Sequence, residues 1–297
     1  MKEYDKHNMP GADFTSFYLK YSLHEEKAET RRGHTAIHCD YQRGEWNIEQ
    51  FMEWIKRHII GYALSPKEIR SLEPTQYVSA VERASRLIYG KEAKTEKRGE
   101  IGELILHGLI YDIYHTEPVI SKIYMKTSRS DTVKGFDCVH ALADGDELDS
   151  LWLGEAKFYK DMSGAIREAV DSIRTLSEDI ALRNEFMIIS NGIGDDEDPM
   201  AVKVKNLLKR STSLDEITPK ICVPVLLTYD SKVVSQHTSL SEEFVENLNA
   251  EVNAHLDSFK GAVTDIDLDI HVFIFSLADK AKLLEEFDKQ LKGHQAE

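Results

Sequence analysis

The chain has 297 residues, 41% of them apolar and 30% charged, with a formal charge of −15 at neutral pH. That length and apolar share suit one large domain, or a core with an appended domain. The acidic balance argues against a protein that holds nucleic acid by its overall field, because phosphate binding is largely electrostatic. A local basic strip or a more basic partner has to present the polymer.

No run approaches the roughly 18 apolar residues of a membrane span. The opening MKEYDKHNMP has no signal-like apolar segment, so a cytoplasmic protein with no membrane partner is expected. Three scattered cysteines, Cys39, Cys138 and Cys222, suit a reducing compartment rather than a disulfide framework. Residues 1–95 read as a separate, mostly helical layer or domain. His34, His38 and Cys39 are of metal-ligand type, but no second ligand pair follows at a zinc-site distance. Residues 46–64 are predicted helical, with Ile48, Phe51, Ile55 and Ile59 on one face and Ser65-Pro66 as the stop. Pro74 starts another helix, whose apolar stripe is read as Tyr77, Val78, Val81, Ala84, Leu87 and Ile88, with Gly90 as its stop. The polar stretch 91–97 is read as a linker into a second region, 96–297.

That region begins with RGEIGELILHGLIYDIY, residues 98–114, read as a helix. Ile101, Leu104, Ile105, Gly108, Leu109 and Ile113 form an apolar face, and Glu100, Glu103, His107 and Tyr111 form another stripe. Residues 118–126 are a candidate strand. Residues 133–141 and 151–157 are strand-like runs around Asp144-Gly145-Asp146, which is turn chemistry. A turn centred near residue 146 sets Asp137 opposite Glu155. Alternation then puts Glu155 and Lys157 on one face, with Ala156 and Cys138 turned away. Crowded carboxylates need a cation between them, and hard oxygen donors suit Mg²⁺ or Mn²⁺. A lysine beside such a metal suits phosphoester hydrolysis.

Glu-x-Lys also occurs at Glu25/Lys27 and Glu92/Lys94, but in polar stretches where a solvated face explains it. Only Glu155/Lys157 ends an apolar strand. Lys122, Lys126, Arg129 and Lys134, opposed by Asp131 alone, make the entry to the hairpin locally positive. Tyr159, Lys160 and Arg167 follow it as candidate contacts to a nucleic-acid backbone or a splayed base.

Residues 163–182 read as a helix burying Ala165, Ile166, Ala169, Val170, Ile173 and Ile180. Residues 186–190 read as a buried strand. In GIGDDEDP, residues 192–199, the acids before Pro199 are read as helix caps rather than metal ligands. Strands at 221–228 and 268–275 and helices at 241–260 and 278–291 complete an α/β chain with a mixed sheet flanked by helices.

The order Glu103 on a helix, Gly-Phe-Asp137, then Gly-Glu155-Ala-Lys157 resembles the PD-(D/E)xK nuclease superfamily. Gly-Phe stands where the superfamily label has proline. More narrowly, RGEIGELILHGLIYDIY, KGFDCVHA and LWLGEAKFYKD resemble the HamA family, nuclease subunits of the Hachiman anti-phage defence system. The resemblance implies a restriction-endonuclease-like core and a Mg²⁺- or Mn²⁺-dependent DNase. It further implies that Asp137 and Glu155 bind the metal, that Glu103 completes or orients its shell and that the Ala156 carbonyl is a further ligand. Lys157 then positions or activates the attacking water, and a HamB-like superfamily 2 helicase restrains the enzyme. The alternative is a non-catalytic adaptor or nucleic-acid-sensing subunit of a helicase complex, which would not require three carboxylates and a lysine at these positions.

Overall fold

Runs rich in β-branched and aromatic residues form the strands of a computed structural model that describes residues 32–89, 98–121, 123, 135–193 and 198–293. They are β1 (Arg32–His38), β2 (Tyr41–Gln42), β3 (Glu45–Trp46), β4 (Glu117–Ser121), β5 (Cys138–Asp144), β6 (Glu147–Lys157), β7 (Ile221–Asp230) and β8 (Asp269–Leu277). β2 and β3 pair only with each other, while the rest form one sheet in the order β1-β8-β7-β6-β5-β4. β1, β8, β7 and β6 run parallel, whereas β5 and β4 are antiparallel to their neighbours. A parallel strand covered on both faces is apolar without alternation. β7 shows this, with Ile221, Val223, Val225, Leu226 and Leu227 all completely buried. The fold is the expected mixed sheet flanked by helices.

Helix α1 (Ile48–Ala63) buries Ile48, Phe51, Ile55 and Ile59, as their spacing predicts. Ser65 then opens α2 (Pro66–Arg70) through a capping box with Glu68. Helix α3 (Tyr77–Tyr89) forms, but its stripe is rotated from the predicted one. Ala80, Ala84, Ser85 and Ile88 are buried, while Tyr77 and Val78 face solvent. α3 packs on α1, and small side chains at the contact let two helices approach closely.

Helix α4 (Gly99–Tyr114) packs on α1 and β6. The helix expected over 163–182 divides into α5 (Met162–Leu176) and α6 (Asp179–Ile193), and Ile180, expected inside, is 77% exposed. Residues 186–190 are not a strand. They lie in α6, where Leu182, Phe186, Ile189 and Ile193 are buried at helical spacing and Met187 is exposed. A short apolar run does not by itself distinguish strand from helix, and its flanks continue the helical period. The strand that follows the β4–β5–β6 meander is therefore β7, reached through α5, α6 and α7 (Pro199–Leu207) and parallel to β6. Asp198 caps α7, as expected. Asp195 and Asp196 lie outside the described residues. Helices α8 (Glu242–Ala262) and α9 (Lys280–Gly293) complete the order.

The boundary placed near residue 95 falls in 90–97, outside the described residues. On either side of it the described parts share one sheet and one hydrophobic core: β1 pairs with β8, and α1 packs on α4 and α9. Among the described residues no helix is long and apolar enough to cross a membrane.

Candidate active site

The hairpin carries the site. Its pairs run from Cys138↔Gly154 to Leu142↔Ser150, the register that a turn centred near residue 146 requires. The ladder ends at that first pair, and the Asp137 N–H donates to the Gly154 carbonyl at 2.9 Å, which ties the acid to the end of the hairpin. Near the turn the pairs change to Ala143↔Leu148 and Asp144↔Glu147, around Gly145 at φ +56°. The register shift between Leu142 and Ala143 is a bulge that gives β6 an extra residue, Asp149. Without it the two strands would pair one residue out of step, and a one-residue slip turns every side chain to the other face.

Asp137 is buried, and its Oδ2 accepts the N–H of Ala156 at 2.8 Å. Glu155 and Lys157 share a face, with Lys157 Nζ 2.5 Å from Glu155 Oε1. Burial first and the Asp137 charge second hold the Glu155 carboxyl above the usual carboxylate range, against the lowering effects of Lys157 and a hydrogen bond from Ser172 of α5. Glu103 is buried on α4, and its Oε2 accepts the Tyr62 hydroxyl at 2.6 Å. A Cβ on neighbouring Gly102 would lie 2.8 Å from Cβ of Phe158. A glycine there lets α4 lie against the end of β6, which brings Glu103 to the hairpin. The fully buried Cys138 thiol is pushed well up by burial and then by Asp137, Glu103 and Glu155.

Among the described residues, no three of His, Cys, Asp and Glu gather closely enough to form a ready-made metal ligand set. The donor chemistry nevertheless fits a hard divalent cation. Asp137 and Glu155 are oxygen donors, and a cation beside them would offset both the burial and the Asp137 charge that raise the Glu155 carboxyl. Here Lys157 supplies the positive charge.

Of the expected nucleic-acid contacts, Lys160 and Arg167 are exposed. Tyr159 is half-buried, with its hydroxyl on Glu168 and its N–H on Thr228 Oγ1 at 2.9 Å. Lys122, Lys126, Arg129 and Lys134 lie outside the described residues. Beside the acids runs a buried histidine pair that the sequence reading left unassigned. His107 Nδ1 is 2.9 Å from His140 Nε2, and His140 Nδ1 is 2.7 Å from Thr116 Oγ1. Burial pushes both imidazoles down, His140 to about 3, so both are neutral at physiological pH.

Sequence reasoning missed Tyr62, Ser172 and Lys280. Lys280 Nζ donates to the Phe158 carbonyl and lies 4.4 Å from the centre of the Phe158 ring. The one available signal for Tyr62 was its position on the buried face of α1, since a buried tyrosine hydroxyl needs a partner.

The HamA family model matches residues 13–291 of the chain. No curated protein matches it.

Proposed function

Because the chain belongs to the HamA family, and so to Hachiman defence, we propose that it is a metal-dependent deoxyribonuclease restrained by a HamB-like superfamily 2 helicase. One observation supports the reading: the Asp137 carboxylate accepts the N–H of Ala156 at 2.8 Å, between Glu155 and Lys157, which are ion-paired on one face of β6.

Asp137 and Glu155 would hold Mg²⁺ or Mn²⁺, and Glu103 would complete or orient the shell. A bound ion supplies Lewis acidity to the phosphodiester and lowers the pKa of water. Lys157, once released from Glu155, holds the attacking water or faces the charge that builds on the phosphate. The buried position of the acids strengthens each of these interactions relative to water. Lys160 and Arg167, with Tyr159 and the four basic residues before the hairpin, are the proposed contacts to DNA. They act against a formal charge of −15, so DNA delivered by the helicase is part of the proposal.

The adaptor reading draws on the same acidic charge and on the lack of a preformed ligand set among the described residues. Duplex DNA with Mg²⁺, with and without the helicase, tests restraint and separates the two readings. More cutting without the helicase supports a restrained nuclease, and equal cutting argues against restraint. No cutting by the chain alone or with helicase and ATP leaves the adaptor.

A further inference from the structure

The last turn of α1 delivers a tyrosine to the candidate site. Tyr62 is completely buried, its hydroxyl donates to Glu103 Oε2 at 2.6 Å, and its backbone carbonyl accepts from Ser121 Oγ at the end of β4. Three elements thus meet at one residue. A buried carboxylate needs a hydrogen-bond donor, and a buried phenol needs an acceptor.

The choice of donor matters. A lysine or arginine would neutralise Glu103, whereas a phenol fixes the direction of one oxygen and leaves the charge in place. Gly102, the neighbour of Glu103, packs against Ala156 and Phe158, and the Ala156 N–H donates to the hairpin acid Asp137.

We propose that Tyr62 is a positioning residue, orienting the Glu103 carboxylate towards a divalent cation held by Asp137 and Glu155 while leaving its charge intact. The inference rests on the nuclease reading above. It makes α1, in the first third of the chain, part of the machinery formed by the hairpin.

The test uses the full chain and Mn²⁺ binding by calorimetry, with thermal melts alongside, in Tyr62→Phe, Glu103→Gln and the double variant. Phenylalanine fills the same space and removes only the hydroxyl. Tyr62→Phe is expected to weaken Mn²⁺ binding about tenfold, the size of one hydrogen bond to a charged group. In the Glu103→Gln background it is expected to add nothing. Wild-type affinity in Tyr62→Phe overturns the positioning role and leaves the nuclease reading standing. Equal weakening with and without Glu103 also overturns the role, since it marks general loosening. A wild-type chain that neither binds Mn²⁺ nor cuts DNA with it overturns both.

Discussion

Glu155 sits under opposing demands, its carboxyl raised by burial and by Asp137 and lowered by Lys157. If that arrangement serves catalysis, either Glu155→Ala or Lys157→Ala lowers Mg²⁺-dependent cleavage at least ~10²- to 10³-fold, the usual loss of one electrostatic stabiliser. A cleavage time course checks it, and an unchanged rate contradicts it. The histidine pair makes a separate prediction about pH. His140, at about 3 in the folded chain, lies below its unfolded value near 6.5. The stability it confers is therefore complete above pH 6.5 and is lost as pH falls from there towards 3, at about 1.4 kcal/mol per pH unit. His107, also lowered by burial, adds the same sign. The raised Glu155 has the opposite sign, so urea unfolding at pH 7.5 and 5.5 is best done in Glu155→Gln. No loss of stability at pH 5.5 would contradict buried neutral imidazoles. At this scale the sequence was legible where chemistry follows local spacing. Strand alternation placed Glu155 and Lys157 on one face, and the spacing of α4 set Glu103 on a stripe of its own. Tyr62 was not legible, because its partner lies 41 positions away on another helix, a contact that leaves no periodic trace.

Elements show where period alone misleads. The stretch 186–190 reads as a strand in isolation and as a helix in context, and the stripe on α3 turned because small residues, not the larger Tyr77 and Val78, form its contact. The hairpin gave the right register for an incomplete reason. A turn centred at 146 was inferred, whereas a tighter turn and a bulge produce the same alignment at the site. The packing of α4 on β6 depends on Gly102, whose Cβ would meet the Phe158 Cβ at 2.8 Å. Gly102→Ala is predicted to cost about 1–3 kcal/mol through overpacking and to lower cleavage by moving Glu103. Thermal melts and the cleavage assay check both. A variant with wild-type melting and rate would show that α4 has room to spare there.

The whole molecule is closed by contacts between distant parts of the chain. β1 adds its edge to β8, and Arg98, at the start of α4, is buried against Asp288 of α9 with its guanidinium over the Tyr89 ring. Asp288→Ala leaves Arg98 buried without that partner and is predicted to cost about 3–5 kcal/mol, read as a shift in the urea midpoint. A shift under about 1 kcal/mol would mean that Glu100, 3.7 Å from Arg98, takes over. None of these pairings was legible beforehand, because sheet order and long-range ion pairs are set by three-dimensional closure and not by local pattern. The class of fold was legible, since alternating strand and helix signals reflect layers that must bury their faces. The central claim is that the hairpin acids and Lys157 cut DNA with a divalent metal. It is tested most directly by incubating the isolated chain with supercoiled plasmid and single-stranded DNA in Mg²⁺, in EDTA, and as the Glu155→Ala/Lys157→Ala variant. The account predicts cutting that requires Mg²⁺ and disappears in EDTA and in the variant. Cutting that persists in the variant, or the absence of cutting even after addition of the helicase and ATP, would contradict it.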